Sequence, residues 1–264
     1  MLIKQFQAIS LSHRTASVSV RERAALNEKQ TRYILSQVRD LAGIQEILIL
    51  STCNRTEIYY NSAEDHSFLL IRMLAIAQHK ISYCEIAENA TFINDHDDAA
   101  RHLFRVAMGL DSQVIGDLQI SHQVKNAYQW SADAQLAGPF LHRLMHTIFF
   151  TNKRVTQETE FRDGAASVSY AAAELANDLS KTWVEPQVLV IGLGEMGSDV
   201  ARNLKNFSLK NVTLANRTFE KAEKLATECN FNAIPLNKVH QSLIDYDIVI
   251  SAIASPEPFL KKEH

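Results

Sequence analysis

The 264-residue chain is 46% hydrophobic and 22% charged, with 8 glycines and 5 prolines, a composition that excludes disordered, collagen-like and low-complexity proteins. Its formal net charge of −3 creates no overall positive field, so any nucleic-acid contact must use a local basic patch. Three scattered cysteines, Cys53, Cys84 and Cys229, favour a reducing, cytoplasmic environment over a disulfide framework. Neither an apolar run of membrane-spanning length nor a signal-peptide pattern occurs, so we expect neither feature.

In the first 160 residues, short strands and helices follow one another in irregular order. The hydrophobic patterns predict strands at 5–12, 46–50 and 56–60, and helices at 27–41, 68–80, 97–108, 119–130 and 139–156. The last helix carries a basic face made of His142, Arg143, His146, Lys153 and Arg154. This face is either solvated surface or a strip that binds phosphates.

The rest of the chain alternates strand and helix regularly. An alanine-rich stretch at 165–181 predicts a stiff helical connector. Beyond it, strands at 187–191, 211–215 and 247–252 with helices at 198–205 and 220–229 predict one βαβαβ half of a parallel, doubly wound sheet. We therefore predict an α+β domain at 1–160, a helical connector at 161–185, and a Rossmann-like α/β domain at 186–264 that is incomplete at its C-terminus.

A dinucleotide-binding fingerprint follows the strand at 187–191. The G-x-G-x-x-G pattern consists of Gly192, Leu193, Gly194, Glu195, Met196 and Gly197. It lies at a strand-to-helix turn, where backbone N–H groups meet a pyrophosphate. The next strand ends in Asn216, Arg217 and Thr218 rather than in an acidic residue. This ending favours a ribose 2′-phosphate, and hence NADPH over NADH; alternatively, Arg217 caps a loop in solvent.

Cys53 lies where the strand at 46–50 gives way to a turn, two residues before Arg55. A partly exposed thiol near a cation favours the nucleophilic thiolate, whereas Cys84 and Cys229 fit the commoner pattern of buried, inert cysteines. His13 and His102 are candidate proton-transfer partners. Capture of an acyl group by a thiolate, combined with hydride transfer, predicts interconversion of an acyl group and an aldehyde. The cysteine and histidine spacing does not fit zinc, so no metal is expected.

Several strings, in unchanged order, resemble the glutamyl-tRNA reductase family. They are Leu50–Glu57 (LSTCNRTE), Gly109–Ser112 (GLDS), Gln119-Ile120 with Gln123–Lys125 (QVK), Ala215–Thr218 (ANRT) and Ser12–Ala16 (SHRTA). The resemblance implies NADPH-dependent reduction of glutamyl-tRNA to glutamate-1-semialdehyde through a Cys53 thioester. This reaction is the first step of the C5 pathway to 5-aminolevulinate and tetrapyrroles, the porphyrins included. It also implies glutamate-1-semialdehyde aminomutase as a partner, and a homodimer for the full-length protein, with this portion a monomer.

The resemblance also assigns roles to single residues. Cys53 and His102 are expected to be catalytic, and the substrate contacts are expected on Thr52, Asn54, Arg55, Ser112, Asp117, Leu118, Gln119 and Gln123. Arg55 either clamps the substrate's side-chain carboxylate or pairs with Glu57. His102 either orders the site and moves a proton or is a satisfied core histidine. Asp111 and Ser112 are either substrate ligands or a helix cap.

The sequence departs from the family pattern in three respects. Asp117-Leu118 stands where the family has Glu-Pro, and Ser121-His122 stands where it has Leu-Gly. The family's helical C-terminal dimerisation domain has no counterpart here, so we expect an N-terminal portion of such a protein. Two other functions remain open: an NADP-dependent oxidoreductase of a small molecule with an incidental cysteine, and a tRNA-binding fragment without turnover.

Overall fold

The chain, described here by a computed structural model, divides into two compact units, Met1–Asp163 and Gly164–His264. The structure describes residues 5–159, 161, 167–207, 209–253, 255 and 257–261, and the side chain of Leu118 lies outside this description. We call the two parts the first and the second unit. Within the described residues, no helix combines the length and the apolar character needed to cross a bilayer.

The first unit is built on an antiparallel sheet whose strand order is β2-β3-β1-β4. Its strands are β1 (Gln5–Ser12), β2 (Ile47–Ser51), β3 (Arg55–Ser62) and β4 (Thr91–Ile93). The register of β1 and β3 places Ser12 opposite Arg55. Successive side chains of a strand point to opposite faces, so Leu48 and Ile49 belong to two separate apolar clusters, one on each face. The sheet is therefore a buried middle layer.

Helices cover both faces of this sheet. They are α1 (Val18–Ala24), α2 (Glu28–Ala42), α3 (Ser67–Gln78), α4 (Tyr83–Asn89), α5 (His96–Ala107), α6 (Leu118–Asp133) and α7 (Pro139–Glu158). The apolar residues of α2 and α3 pack on one face, and those of α5, α6 and α7 pack on the other. The predicted asparagine cap is confirmed, because the Asn27 side chain accepts from the Gln30 N–H and the Gln30 side chain accepts from the Asn27 N–H.

The second unit contains a parallel sheet with the strand order β7-β6-β5-β8. Its strands are β5 (Val188–Ile191), β6 (Val212–Asn216), β7 (Asn232–Pro235) and β8 (Ile248–Ser251), and its helices are α8 (Val168–Ser180), α9 (Glu195–Lys205), α10 (Phe219–Cys229) and α11 (Val239–Ser242). Short 3₁₀ turns occupy Leu236–Lys238 and Leu243–Asp245. The parallel α/β fold is thus confirmed.

Two features of the second unit differ from the sequence-based picture or extend it. The strand predicted as the third is β8, the fourth, because β7 escaped prediction: its short Asn-Ala-Ile-Pro sequence contains two residue types that are depleted in strands. The predicted connector falls mainly on α8, whose Ala173 and Ala176 pack in the same apolar cluster as Val200 of α9. The role of residues 161–185 as a connector stays a prediction.

Candidate active site

The turn between β2 and β3 presents Cys53 to solvent. The backbone N–H of Thr52 donates to the Arg55 carbonyl (2.8 Å), and the Thr52 hydroxyl accepts from the backbone N–H groups of Asn54 (3.1 Å) and Arg55 (3.2 Å). A short side chain thereby closes the turn from within, as threonine often does. Cys53 lies between these bonded residues and is exposed, which confirms the predicted exposure.

Two residues from distant parts of the chain fix this turn. Arg21 of α1 is buried, and its Nη1 donates to the Cys53 carbonyl and to the Asn54 side-chain oxygen, both at 2.9 Å. The backbone N–H of His13 donates to the Asn54 carbonyl (2.9 Å). Sequence reasoning missed Arg21, because α1 itself was not predicted. The backbone around the thiol is therefore held firmly while the side chain remains accessible.

Beneath the turn lies a buried ion pair. The Arg55 side chain is 2% exposed, and its Nη1 donates to Glu57 Oε1 (3.0 Å) while its Nη2 donates to the Asp111 carbonyl (2.6 Å). Pairing with Glu57, one of the two predicted alternatives, is thus the contact that the structure shows. Only two of the five guanidinium N–H donors are used in these bonds. The role of Arg55 as a substrate clamp stays a prediction.

Glu57 is the centre of this network. It is fully buried and accepts from Ser10 Oγ (2.7 Å) and Tyr59 Oη (2.5 Å), besides Arg55. Burial alone would raise the pKa of Glu57, but the hydrogen bond from His102 and the charge of Arg55 outweigh burial and lower this pKa to about 2. Glu57 is therefore an ionised carboxylate at neutral pH.

His102 of α5 lies between two carboxylates. Its Nε2 is 3.1 Å from Glu57 Oε1 and its Nδ1 is 3.8 Å from Asp111 Oδ2. The ring stacks on Tyr59 with centroids 6.0 Å apart, and the side chain remains 20% exposed. This placement between two carboxylates suits a residue that orders the site or carries a proton. The catalytic role of His102 stays a prediction.

The loop at 109–117 carries Asp111 and ends in a helix cap at a different residue from the one predicted. Asp117 caps α6 by accepting from the Gln119 N–H (3.0 Å), whereas Asp111 accepts from Arg14 (2.7 Å) and Arg105 (3.0 Å). The helix-cap alternative for Asp111 is therefore wrong. The loop requires glycine at Gly109, which has φ +76 and whose added Cβ would lie 3.1 Å from the backbone of Asp117.

The remaining predicted substrate contacts lie at or near α6. Ser112, Gln119 and Gln123 are partly exposed, and Ser112 is brought towards the turn because the neighbouring Asp111 carbonyl binds Arg55. Among the described residues, no hydrogen bond joins Gln123 to the Cys53 turn. Ser121 and His122, which replace the family's Leu-Gly, fit their surroundings in α6. Ser121 Oγ donates to the Ala107 carbonyl (2.9 Å), and the His122 side chain is exposed.

The other two cysteines differ from each other. Cys229 is buried, as predicted, and burial raises the pKa of its thiol. Cys84 is exposed, so its predicted burial is wrong: it occupies the second position of α4, a short helix that the sequence analysis did not identify. Among the described residues, no cluster of three or more histidine, cysteine or acidic side chains is placed to hold a metal ion.

The basic face of α7 is exposed to solvent along its length. Arg154 forms an ion pair with Glu158 (2.7 Å), and His142 bonds Tyr128 of α6 and lies with its ring 4.5 Å from that of His146. These contacts are compatible with a solvated surface and with a phosphate-binding strip. The function of this face stays a prediction.

The glycine-rich segment where β5 leads into α9 contains two positions that exclude a side chain. Gly192 has φ +87, and a Cβ there would lie 2.8 Å from the Ala252 carbonyl oxygen. A Cβ on Gly197 would lie 1.9 Å from the Gly192 carbonyl oxygen, so α9 approaches β5 too closely for any side chain. Gly194 faces open space and caps α9 without a side-chain bond, which leaves first-turn N–H groups for an anion.

The end of β6 fits the adenosine end of a dinucleotide. Asn216 Oδ1 accepts from the Leu193 N–H (3.1 Å) and Asn216 Nδ2 donates to the Thr218 carbonyl (3.1 Å), so this residue braces the glycine-rich loop. Arg217 is exposed. Asn216 and Arg217 line a cavity of about 650 Å³ together with Phe219, Pro235, Leu236, Asn237, His240 and Phe259. A guanidinium beside a cavity of this size suits a 2′-phosphate, and so the residues present fit NADPH.

Fold and site together define a chain that joins a unit with an exposed, fixed cysteine to a Rossmann unit built for a dinucleotide. Residues 9–159 match the family model described as "Glutamyl-tRNAGlu reductase, N-terminal domain", and residues 174–264 match the model described as "Shikimate / quinate 5-dehydrogenase". The chain belongs to the glutamyl-tRNA reductase family.

Individual relatives agree with this assignment. The glutamyl-tRNA reductase of Cytophaga hutchinsonii is 51% identical over 263 residues, which are 99% of this chain and 62% of that protein. The protein of the same name from Pseudomonas fluorescens is 39% identical over 97% of this chain and 60% of its own length. The structure of glutamyl-tRNA reductase from Methanopyrus kandleri is 30% identical, with a TM-score of 0.59, over 97% of this chain and 60% of that chain. The chain thus spans about 60% of the length of these relatives.

Proposed function

We propose that this chain carries the acyl-capture site and the NADPH-binding unit of an enzyme that reduces glutamyl-tRNA to glutamate-1-semialdehyde at the start of tetrapyrrole biosynthesis. The observation that carries the proposal is the Cys53 turn. The thiol of Cys53 is exposed, and the backbone carbonyl of the same residue accepts a hydrogen bond from Arg21. Rigid placement of an accessible nucleophile lowers the entropic cost of attack. The names of the relatives support glutamate on its tRNA as the acyl donor.

In the first chemical step, the Cys53 thiolate attacks the carbonyl carbon of the glutamyl ester. A carbon–sulfur bond forms and the carbon–oxygen bond to the terminal ribose breaks, so the tRNA departs with its hydroxyl restored. His102 accepts the thiol proton and returns it to the departing ribose oxygen. Glu57, 3.1 Å from His102 Nε2, stabilises the imidazolium that forms between these two transfers.

The glutamyl group is held by the residues around the turn and at the start of α6. We propose Thr52, Asn54, Arg55, Ser112, Asp117, Leu118, Gln119 and Gln123 as this set. Arg55 keeps donors beyond those bonded to Glu57 and Asp111, and so can attract the substrate's carboxylate. The partly exposed Ser112, Gln119 and Gln123 can bond the α-amino group and the carbonyl oxygen.

The second unit holds the reductant. The segment Gly192-Leu193-Gly194-Glu195-Met196-Gly197 would hold the pyrophosphate, and Asn216, Arg217 and Thr218 would hold the phosphorylated ribose. NADPH supplies a hydride when bound. We further propose a cytoplasmic location, a homodimer for the whole protein, and transfer of the aldehyde to glutamate-1-semialdehyde aminomutase, because these follow from the same family membership.

Acyl capture is tested without NADPH. The folded chain is incubated with glutamyl-tRNA, and its intact mass and tryptic peptides are analysed. We expect a glutamyl adduct on the Cys53 peptide that is absent in Cys53→Ala and retained in Cys84→Ser, since Cys84 is also an exposed thiol but lies away from the turn. A wild-type chain that acquires no adduct, or one labelled equally on Cys84, overturns the proposal. Hydride transfer from NADPH to small carbonyl compounds by Cys53→Ala would favour the alternative suggested by the match to shikimate and quinate dehydrogenases.

A further inference from the structure

Two exposed arginines of the first unit share one buried carboxylate. Arg14 Nη2 lies 2.7 Å from Asp111 Oδ1, and Arg105 Nη2 lies 3.0 Å from the same oxygen while its Nε lies 3.3 Å from Oδ2. The Asp111 side chain is only 7% exposed, whereas those of Arg14 and Arg105 are 59% and 48% exposed. Each guanidinium is therefore held along one edge and faces solvent along another.

This arginine pair lies next to the Cys53 turn. Arg14 directly follows His13, whose backbone N–H donates to the Asn54 carbonyl (2.9 Å). The Asp111 carbonyl accepts from Arg55 Nη2 (2.6 Å). Arg14 is thus linked to the turn through the main chain of the adjacent His13. Arg105 is linked to it through Asp111, whose carboxylate binds Arg105 and whose carbonyl binds Arg55.

The charges around the turn do not balance. Among the described residues, the ion pairs of Arg14, Arg55 and Arg105 involve two carboxylates, those of Glu57 and Asp111. Arg21 bonds neutral oxygens of Cys53 and Asn54, so four arginine charges meet two carboxylate charges in a chain whose formal net charge is −3. Burial and the nearby charges of Arg55, Arg14 and Arg21 lower the pKa of His13, which disfavours its charged form. Arg21 and Arg55 are buried. The accessible excess therefore lies on Arg14 and Arg105.

We propose that Arg14 and Arg105 form an oxyanion site for a phosphate of the RNA end that carries the glutamyl ester. Two guanidiniums that share one carboxylate keep one net positive charge, which matches a single phosphodiester. Guanidinium forks bind such oxygens with two parallel hydrogen bonds. The inference rests on the proposed function only in that the ligand is an aminoacylated RNA. The same substrate carries a second oxyanion, the glutamyl side-chain carboxylate, which guanidinium groups can bind in the same way. The experiment below distinguishes binding of the phosphate from binding of this carboxylate.

Binding is measured with a non-reactive probe, a short RNA hairpin that ends in CCA and carries glutamate through a 3′-amide. The variants are Arg14→Gln and Arg105→Gln, each of which leaves one arginine on Asp111. We expect each to weaken binding by about tenfold, as for a lost hydrogen bond to a charged group, and to lower the slope of log affinity against log salt by about 0.7. Arg14→Lys should keep most of the slope. Arg32→Gln is the matched control, since Arg32 is a similarly exposed arginine bonded to two carboxylates, on α2.

Two further probes separate the sources of the oxyanion. A hairpin with a glutaminyl amide keeps the phosphates and removes the carboxylate, and glutamyl-3′-amino-adenosine does the reverse. The proposal requires the Arg14 and Arg105 variants to bind the glutaminyl hairpin more weakly while binding the nucleoside as the wild type does. It is overturned if they lose affinity only for the carboxylate-bearing probes, or if Arg32→Gln loses as much. Because these assays measure binding alone, they give a result even if Cys53 captures no glutamyl group.

Discussion

Replacement of Glu57 tests whether the buried ion network holds the first unit together. In Glu57→Gln the amide cannot neutralise Arg55, whose side chain is 2% exposed and whose other bond goes to the Asp111 carbonyl. Removing one partner of a buried ion pair leaves an uncompensated charge and costs about 3–5 kcal/mol. We therefore expect the free energy of unfolding of the first unit to fall by about this amount at pH 7.

The pH dependence of stability gives a second value for the free energy that the ionised Glu57 contributes to folding. The folded-state pKa of Glu57 is about 2, below its ordinary value of 4.5, so the unfolded chain binds the proton more readily. At about 1.4 kcal/mol per pKa unit, the difference corresponds to roughly 3 kcal/mol of stability. This contribution is fully present above the unfolded-state pKa and is lost as the pH falls through the folded-state value. The wild type should lose stability on acidification over this range, and Glu57→Gln should lose less.

Tryptophan fluorescence during urea unfolding can follow the first unit alone. Trp130 lies in α6 and Trp183 lies in the second unit, so a Trp183→Phe background reports only Trp130. Glu85→Gln is the control, because Glu85 pairs with Arg23 at the surface and exposed pairs contribute little. The reasoning is refuted if Glu57→Gln matches the wild type in unfolding midpoint at pH 7 and in its response to acid.

Three other outcomes are expected. Gly197→Ala should abolish NADPH binding in a fluorescence titration and destabilise the second unit, because the added Cβ would lie 1.9 Å from the Gly192 carbonyl oxygen. Gly194→Ala should leave stability unchanged, because Gly194 faces open space. Iodoacetamide should modify Cys53 in the native chain and Cys229 only after unfolding, as peptide mass mapping will show; native modification of Cys229 would contradict its burial. Arg143→Gln should lower the salt slope of RNA binding by about 0.7 if the basic face of α7 contacts phosphates, and an unchanged slope identifies it as solvated surface.

Local patterns were sufficient to predict much of the fold. The bounds of β1 were predicted residue for residue, with a polar turn at His13-Arg14-Thr15 directly after it, and the start of α2 was predicted from its asparagine cap. The helices and strands that escaped prediction have seven residues or fewer: α1, α4, β4, β7 and α11. Segments of that length show barely two turns of a helix or one repeat of strand alternation, so periodicity cannot separate them from loops.

At the candidate active site, too, local sequence patterns predicted only part of the arrangement. Cys53 was identified from a turn between two strands, which is local information, whereas Thr52 and Asn54 were assigned from the family resemblance. Arg55 and Glu57 are two residues apart on β3, so strand periodicity places their side chains on one face, and their pairing was an available alternative. The contacts of Arg21 with Cys53 and of Arg14 with Asp111 span 32 and 97 residues. Such contacts depend on tertiary packing, which a single sequence does not reveal.

The strand order of the second unit bears on how it is synthesised. Central strand β5 pairs with β6 on one side and with β8 on the other, and β8 (Ile248–Ser251) is made about 60 residues after β5. While a ribosome translates the intervening segment, the apolar strand Val188–Ile191 therefore has one unsatisfied edge. A stalled nascent chain would offer that edge to chaperones or to aggregation, and emergence of β8 from the ribosome is the event that ends this exposure.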